Sequence, residues 1–186
     1  RTYFRLTGAS GTAVVMDAPP PQEDVRPFVR IARHLIALGL SAPAIHAKDA
    51  ANGFLLLEDL GDDTFARVLD GGGDESLLYD RATDVLATLH GAGEDALLPG
   101  LGAYAGEALI EAAMLLPEWY LPAATGRPTP PEETDRYSAA WRECLAYLPA
   151  TADTLLLRDY HKDNLLWLPK RPGVKACGDR KSASLN

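Results

Sequence analysis

The sequence has few cysteines. Only Cys144 and Cys177 occur among its 186 residues. Two cysteines cannot build the framework of several disulfides that small secreted domains use, and their spacing matches no zinc-binding pattern. We therefore expect two reduced thiols, which are typical of a cytoplasmic protein.

Long apolar runs and an excess of positive charge are also missing. No segment has the length and hydropathy of a membrane span or of a signal peptide. Lys and Arg number 18 against 26 Asp and Glu, which gives a formal net charge of −8. Nucleic acids and anionic membranes attract basic surfaces, so neither is an expected partner. A phosphate can still be bound locally. With 47% hydrophobic residues, the chain can form one or two small lobes with a core.

No glycine-rich phosphate-binding loop is visible in the sequence. The run from Asp70 to Asp74 contains three glycines, but it lacks the G-x-G-x-x-G pattern and is predicted to be a flexible loop. The chain begins at Arg1, within a predicted strand, and ends in a polar tail after Gly178. We therefore expect a fragment that is truncated at both ends.

Hydrophobic periodicity predicts an α+β fold. The first part reads strand, strand, helix, strand, strand, and the second part is mainly helical with a late hairpin. The predicted strands include residues 1–6, 12–16, 54–58, 165–168 and 174–177, and the predicted helices are residues 23–38, 76–90, 107–116 and 132–147. The prolines and aromatics at residues 117–121 are expected to break the third helix.

A short polar loop between two apolar runs carries the clearest chemical signal. Asp159 and Asn164 are separated by four residues, and Arg158 precedes the aspartate. Phosphoryl transfer by kinases uses such a pair: the aspartate orients and accepts the proton of the attacking hydroxyl, and the asparagine holds Mg²⁺. A surface turn with a solvated charge cluster is the alternative.

This loop resembles the D-x-H-x-x-N catalytic loop of the aminoglycoside phosphotransferase family, which has a protein-kinase-like fold. The resemblance implies ATP and Mg²⁺ as cofactors, with Asp159 as the catalytic aspartate and Asn164 as the metal ligand. Arg158 would position the loop or a phosphate. His161 matches the family's histidine, and it would face the substrate or brace the loop. Leu157 stands where the family usually has another histidine.

The segment from Leu55 to Gly61 resembles the hinge of the same family. This resemblance implies that Glu58, Asp59 and Leu60 bind the adenine edge of ATP, although a plain buried strand ending in a turn would read the same way. The implied architecture is a two-lobe fold, with a small β-rich N-terminal lobe over residues 1–60. Residues 61–186 would form a mainly helical C-terminal lobe.

The segment from Pro117 to Leu121 places Glu118 and Trp119 side by side. A carboxylate beside aromatic rings suits sugar binding, and packing in the core is the alternative. Together with the hinge and the first strands, this segment is similar to the bacterial anomeric kinases of amino sugars, which act in cell-wall recycling. The implied partner is a small hydroxyl acceptor, an amino sugar or else an aminoglycoside.

Two departures from the family pattern favour a different reading, a pseudokinase that binds nucleotide without catalysis. The strand from Ala13 to Asp17 lacks the usual lysine for the phosphates, and Arg5 or Arg1 is hypothesised to replace it. Asp179 has polar flanks, so we expect that no buried strand holds it and that one metal ligand is missing. A metal hydrolase using Asp159, His161 and Asp163 is the third alternative, against which their spacing counts, because it fits no zinc pattern.

Overall fold

The computed structural model describes residues 1–9, 11–147 and 154–179. The chain divides into two compact units. The first comprises residues 1–98 together with the segment that begins at Thr154, and the second is the segment from Pro99 to Asp153. Both helices and antiparallel strands are present, as the predicted α+β class requires. The boundary at residue 60 and the two-lobe arrangement stay predictions.

A four-stranded antiparallel sheet forms the first part of the first unit. Its strands are β1 (Thr2–Gly8), β2 (Gly11–Asp17), β3 (Ile45–Asp49) and β4 (Phe54–Glu58), in the order β1-β2-β4-β3. The first two predicted strands are confirmed, and they form an antiparallel hairpin with Gly8 paired to Gly11. Strand alternation gives the sheet one face that buries Met16, Leu55 and Leu57.

Helix α1 spans Arg26–Ala37 and begins three residues later than its predicted start at residue 23. Asp24 precedes the helix, and its carboxylate accepts the backbone N–H of Arg26 at 2.9 Å. Pro27 occupies the first turn, where its missing N–H costs nothing. The buried face of the helix includes Phe28, Ile31 and Leu35, whereas Ile36 is 43% exposed.

Gly53 fixes the turn between β3 and β4. Its φ is +79°, and a β-carbon at this position would lie 2.1 Å from the backbone oxygen of Ala18. The peptide N–H of Ala18 also donates to the carbonyl of Gly53 at 2.9 Å. Only glycine can meet both the dihedral and the spatial requirement.

Gly53→Ala is expected to destabilise the protein by more than the roughly 1 kcal/mol that positive φ alone costs an alanine. Gly39→Ala is the matched control, because Gly39 has a φ of +80° and open space around its α-carbon. Chemical denaturation of both variants measures the difference. Equal losses of unfolding free energy would contradict the proposed backbone clash.

Two helices follow the sheet in the first unit. Helix α2 (Phe65–Asp70) was not predicted, because it is too short to show a period. Thr64 caps it by accepting the N–H of Arg67. Helix α3 (Glu75–Gly91) confirms the prediction for residues 76–90, and Asp74 caps it through the N–H of Leu77.

The late hairpin consists of β5 (Leu165–Trp167) and β6 (Cys177–Asp179). The predicted last strand, residues 174–177, is wrong in its position. A 3₁₀ turn occupies Gly173–Ala176, and the strand begins where that turn ends. Leu165 lies opposite Asp179 in the antiparallel register. The shift carries Asp179 onto a strand.

The second unit is helical. Its helices are α4 (Glu107–Leu115), α5 (Leu121–Thr125) and α6 (Pro131–Leu145), and a π-helical turn, Leu116–Tyr120, links the first two. Helix α4 thus ends within one residue of its predicted end at residue 116, but the segment 117–121, predicted to break the helix, is itself helical. The chain stays helical because a proline is tolerated where a new turn begins. Cys144 on α6 is exposed. Among the described residues, no helix is long and apolar enough to cross a membrane.

Candidate active site

The polar loop between Arg158 and Asn164 lies against the segment that follows the predicted hinge. The N–H of Ala66 donates to the carbonyl of Lys162 at 3.1 Å, and the N–H of Trp167 donates to the carbonyl of Asp63 at 2.7 Å. These backbone bonds attach the second half of the loop, and the strand Leu165–Trp167 that follows it, to the start of α2. The loop is thus held by main-chain contacts that the sequence pattern does not reveal.

Asn164 is the buried centre of this loop, with 1% of its surface exposed. Its amide nitrogen lies 2.9 Å from the backbone oxygen of Asp159 and 2.9 Å from Nε2 of His161. An amide nitrogen has two hydrogens, and these two acceptors use both. The amide is therefore fixed in orientation, and its oxygen remains as a hard ligand of the kind that Mg²⁺ prefers.

His161 braces the asparagine. Because its Nε2 accepts the amide hydrogen, the neutral ring carries its proton on Nδ1, which lies 3.3 Å from Oδ2 of Asp163. The family resemblance left two roles open for His161, facing the substrate or bracing the loop, and these contacts are those of a residue that braces the loop. Its predicted role in substrate binding stays a prediction.

Asp159 and Arg158 are exposed on the turn that leads into the loop. The side chain of Asp159 is therefore accessible to a substrate, while its backbone carbonyl is held by Asn164 and by the N–H of His161 at 3.0 Å. A backbone-anchored, solvent-accessible carboxylate can accept a proton from a bound hydroxyl.

Tyr160 anchors the same loop to the interior, a role that the sequence analysis missed. Its hydroxyl donates to the carbonyl of Ala82 on α3 at 2.9 Å and lies 3.8 Å from Sγ of Cys177. Burial raises the pKa of the tyrosine hydroxyl, and it raises the pKa of the Cys177 thiol to about 12. Both groups stay neutral at physiological pH, so they serve structure and not proton transfer.

Asp179 corrects one expectation from the sequence. It is 8% exposed and ends strand β6, so a buried strand does hold it. The residue before it, Gly178, is closely packed, since a β-carbon there would lie 2.9 Å from Cδ1 of Leu168.

The face on which Asp179 lies bears on its use as a metal ligand. Pairing with Leu165 puts it on the same face of the hairpin as Cys177. Asp179, Cys177 and Tyr160 line a cavity of about 10 Å³, which is close to the smallest that can hold one water molecule. Within the described ranges, no group of three or more His, Cys, Asp or Glu side chains is arranged to hold a metal ion. The expected lack of a second metal ligand stays a prediction.

The side chains of two predicted hinge residues are committed to other protein groups. Glu58 accepts a hydrogen bond from Arg171 and another from the N–H of Ala44. Asp59 accepts the N–H of Gly61 at 3.0 Å, a bond that shapes the turn after β4. Leu60 is partly exposed. Contacts from Glu58 and Asp59 to adenine would therefore come from their backbone, as the resemblance implies.

Arg5 lies on the same sheet face as the hinge. It pairs with Val14, which pairs with Leu57, two residues before Asp59. Nε of the guanidinium donates to Oδ2 of Asp59 at 2.8 Å, and its Nη2 donates to Oδ1 of Asp62 at 2.9 Å.

The hydrogen bonds between Arg5 and the two aspartates shift the pKa of all three groups. Hydrogen bonds from Arg5 hold the pKa of Asp59 and the pKa of Asp62 below the usual value for a carboxyl group, and the pKa of Arg5 is raised in return. The structure thus brings Arg5 to the hinge, where two carboxylates engage it. Whether it also reaches a phosphate stays a prediction.

Glu118 and Trp119 lie in the π-helical turn of the second unit. Trp119 is 72% exposed and the neighbouring Tyr120 is 64% exposed, so these aromatics are not core residues. The carbonyl of Pro117 accepts a hydrogen bond from the Thr129 hydroxyl, which ties the turn to the loop before α6. π-Helical turns often occur at functional sites.

Residues 1–177 match the profile of the phosphotransferase enzyme family, and the chain belongs to that family. Curated relatives include N-acetylmuramate/N-acetylglucosamine kinases. Those of Pseudomonas putida and Pseudomonas aeruginosa are each 38% identical over 178 residues, covering 94% of this chain and 50% of the relative. The one from Caulobacter vibrioides is 34% identical over 211 residues, covering 96% of this chain and 58% of the relative. The resemblance drawn from the loop and the hinge is confirmed, and the chain spans about half the length of these relatives.

Proposed function

We propose that this chain is part of an ATP- and Mg²⁺-dependent kinase that transfers the γ-phosphate to a hydroxyl of an amino sugar. The observation that carries the proposal is the buried Asn164, whose amide holds the backbone of the exposed Asp159. The names of the curated relatives support an amino sugar as the acceptor. A cytoplasmic role in cell-wall recycling is part of the same proposal.

In the proposed reaction, Asp159 accepts the proton of the acceptor hydroxyl while that oxygen attacks the γ-phosphorus. A bond forms between the acceptor oxygen and phosphorus, the bond to the bridging oxygen breaks, and ADP leaves. Asn164 would hold Mg²⁺ through its amide oxygen. The metal, when bound, supplies charge neutralisation on the phosphate oxygens. The chain's residues contribute chiefly by position, because the bonds made at the phosphorus need little covalent help.

At the hinge, the backbone of residues 58–60 is proposed to bind the adenine edge. The side chains of Glu58 and Asp59 would hold that backbone in place through their bonds to Arg171 and Arg5. Arg5 is also proposed to supply the positive charge that β2 lacks, by moving one branch of its guanidinium from Asp62 to a phosphate.

Arg5→Ala is expected to raise the KM for ATP by about 10-fold, which corresponds to one lost charge-assisted hydrogen bond of about 1.5 kcal/mol. The measurement is steady-state kinetics at saturating acceptor. Arg26→Ala is the matched control, because Arg26 forms an exposed ion pair with its neighbour Asp24. An unchanged KM for ATP in Arg5→Ala would exclude Arg5 from nucleotide binding.

Trp119 and Glu118 are proposed to bind the sugar, the ring by stacking on its apolar face and the carboxylate by accepting its hydroxyls. Trp119→Ala should raise the KM for the sugar about 2- to 12-fold, the equivalent of about 0.5–1.5 kcal/mol of ring contact. The KM for ATP should stay constant. Tyr147→Ala, which removes another highly exposed aromatic side chain, is the control. An equal change in both variants would refute a specific role for Trp119.

The decisive test is ADP release from Mg²⁺-ATP in the presence of N-acetylmuramate, N-acetylglucosamine or kanamycin. The chain itself and a version extended to the length of the relatives would be assayed in parallel. Release that depends on an amino sugar supports the proposal and identifies the acceptor. Release with kanamycin alone would favour an aminoglycoside phosphotransferase.

A second candidate is a nucleotide-binding module without catalysis. It is favoured by the absence of a lysine on β2 and by the position of Asp179 on the cavity side of the hairpin. Binding of Mg²⁺-ADP with no ADP release from either version would support this candidate over the kinase.

A further inference from the structure

The turn between β5 and β6 carries an arginine that joins three distant segments. Nη2 of Arg171 donates to Oε1 of Glu58 at 2.5 Å, and its Nη1 donates to Oγ of Ser41 at 2.9 Å. A guanidinium presents its donors in a rigid planar fork. The two acceptors are therefore held at a fixed separation, which the single ammonium of a lysine could not achieve.

Ser41 extends this network to strand β6. Its side chain is buried, and its hydroxyl donates to the backbone carbonyl of Lys175 at 2.8 Å while accepting from Arg171. The backbone of Ser41 forms a parallel bridge with Gly178 and accepts the N–H of Asp179 at 3.4 Å. Displacing Ser41 would thus displace the strand that pairs with β5.

Glu58 extends the network in the other direction, to the hinge. Its Oε2 accepts the N–H of Ala44 at 3.1 Å, and its own N–H donates to the carbonyl of Ala44 at 2.8 Å. Both carboxylate oxygens are therefore used, and Glu58 is the last residue of β4 before the hinge turn. The ion pair fixes the end of β4 relative to the β5–β6 hairpin.

We propose that Arg171 is a positioning residue that sets the distance between the base end and the metal end of the nucleotide site. This inference rests on the proposed kinase function. Glu58 is the first residue of the hinge proposed for adenine, and the hairpin follows directly from Asn164, which is proposed to hold Mg²⁺. One ATP molecule has to reach both ends. A displacement of about 1 Å between reacting groups can cost about 10²-fold in rate.

The ion pair is suited to alignment more than to stability. The side chains of Arg171 and Glu58 are 30% and 31% exposed, and pairs that water reaches contribute little to the free energy of unfolding. Loss of Arg171 should therefore change the use of ATP much more than it changes the melting temperature.

The test compares Arg171→Met, Arg171→Lys, Glu58→Gln and the double variant Glu58→Gln/Arg171→Met. Arg81→Met is the matched control, because Arg81 forms a partly exposed ion pair with Asp84 on α3. The readouts are the Kd for Mg²⁺-ADP, the KM for ATP, kcat and the melting temperature, measured on the version of the protein that turns over.

For Arg171→Met we expect a roughly 10-fold higher KM for ATP and a lower kcat. Arg171→Lys should recover part of the loss, since it can still reach one acceptor. The double variant should be no worse than the single one, because both changes break the same link. Arg81→Met should match the wild type.

Three results would overturn the inference: a wild-type KM for ATP in Arg171→Met, an equal effect in Arg81→Met, or full additivity in the double variant. If Arg171→Met does not fold, then Arg171→Lys and Glu58→Gln decide the matter, since unchanged kinetics in both would overturn it. A wild-type protein that neither binds Mg²⁺-ADP nor releases ADP refutes the proposed function and this inference together. An active wild type with an unaffected Arg171→Met refutes this inference alone.

Discussion

Asp159→Asn is expected to lower kcat by about 10²- to 10⁴-fold, the usual contribution of a positioned general base. The amide keeps the size of the side chain and leaves the backbone carbonyl free to accept the hydrogen bond from Asn164. It cannot, however, take the proton of the acceptor hydroxyl. The KM for ATP should change little, because the carboxylate acts on the acceptor and not on the nucleotide.

The measurement is ADP release at saturating ATP and acceptor. Asp80→Asn is the matched control, since Asp80 is an exposed aspartate on α3, outside the proposed site. Its activity should equal that of the wild type. Turnover of Asp159→Asn within twofold of the wild type would exclude Asp159 as the catalytic base.

Asn164→Ala should raise the Mg²⁺ concentration needed for half-maximal activity by at least the 10- to 100-fold that losing an outer contact to a metal site typically costs. It should also lower the free energy of unfolding by about 1–3 kcal/mol, because the buried amide no longer satisfies its two acceptors. Those acceptors are the carbonyl of Asp159 and Nε2 of His161.

Mg²⁺ titration of activity and urea unfolding measure the two effects of Asn164→Ala separately. His161→Ala is an informative comparison. It removes one of the two acceptors that orient the amide but retains the amide oxygen, so its Mg²⁺ requirement should rise less. Identical Mg²⁺ titrations for the wild type and Asn164→Ala would refute the metal-binding role, whatever the change in stability.

Local sequence patterns predicted the parts of the fold that local interactions determine. The patterns that predicted β1, β2 and α3 are properties of residues close in sequence, and all three elements were found where the patterns indicated. The spacing of Asp159 and Asn164 likewise places both residues in one loop, whatever surrounds it. The hydrogen bond from the amide of Asn164 to the backbone of Asp159 was not predicted from that spacing.

Features that depend on distant parts of the chain were missed. Strand β6 has three residues, two of which are glycine and aspartate, which disfavour strands; it exists because it pairs with β5 and bridges to Ser41. The ion pair between Arg5 and Asp59 also depends on distant parts of the chain, because it joins residues far apart in sequence across three strands. Hydrophobic periodicity describes residues within one helix or strand, so it cannot predict such pairs. The π-helical turn was missed because Pro117 was interpreted as a helix breaker. The hydrogen bond from the Thr129 hydroxyl to the carbonyl of Pro117 cannot be predicted from the local sequence pattern.

The order of the chain has a consequence for synthesis. The first unit consists of two segments that are separated in sequence by the whole second unit. The N-terminal segment pairs with the later one through the β-bridges Thr64 to Leu166 and Ser41 to Gly178. The ribosome therefore makes these pairing partners only after it has made the second unit. At 5–20 residues per second, this delay lasts on the order of ten seconds. During that time the N-terminal segment cannot complete its packing. Nascent chains stalled before Thr154 should therefore be cut by protease within residues 1–98, whereas chains released after β6 should resist.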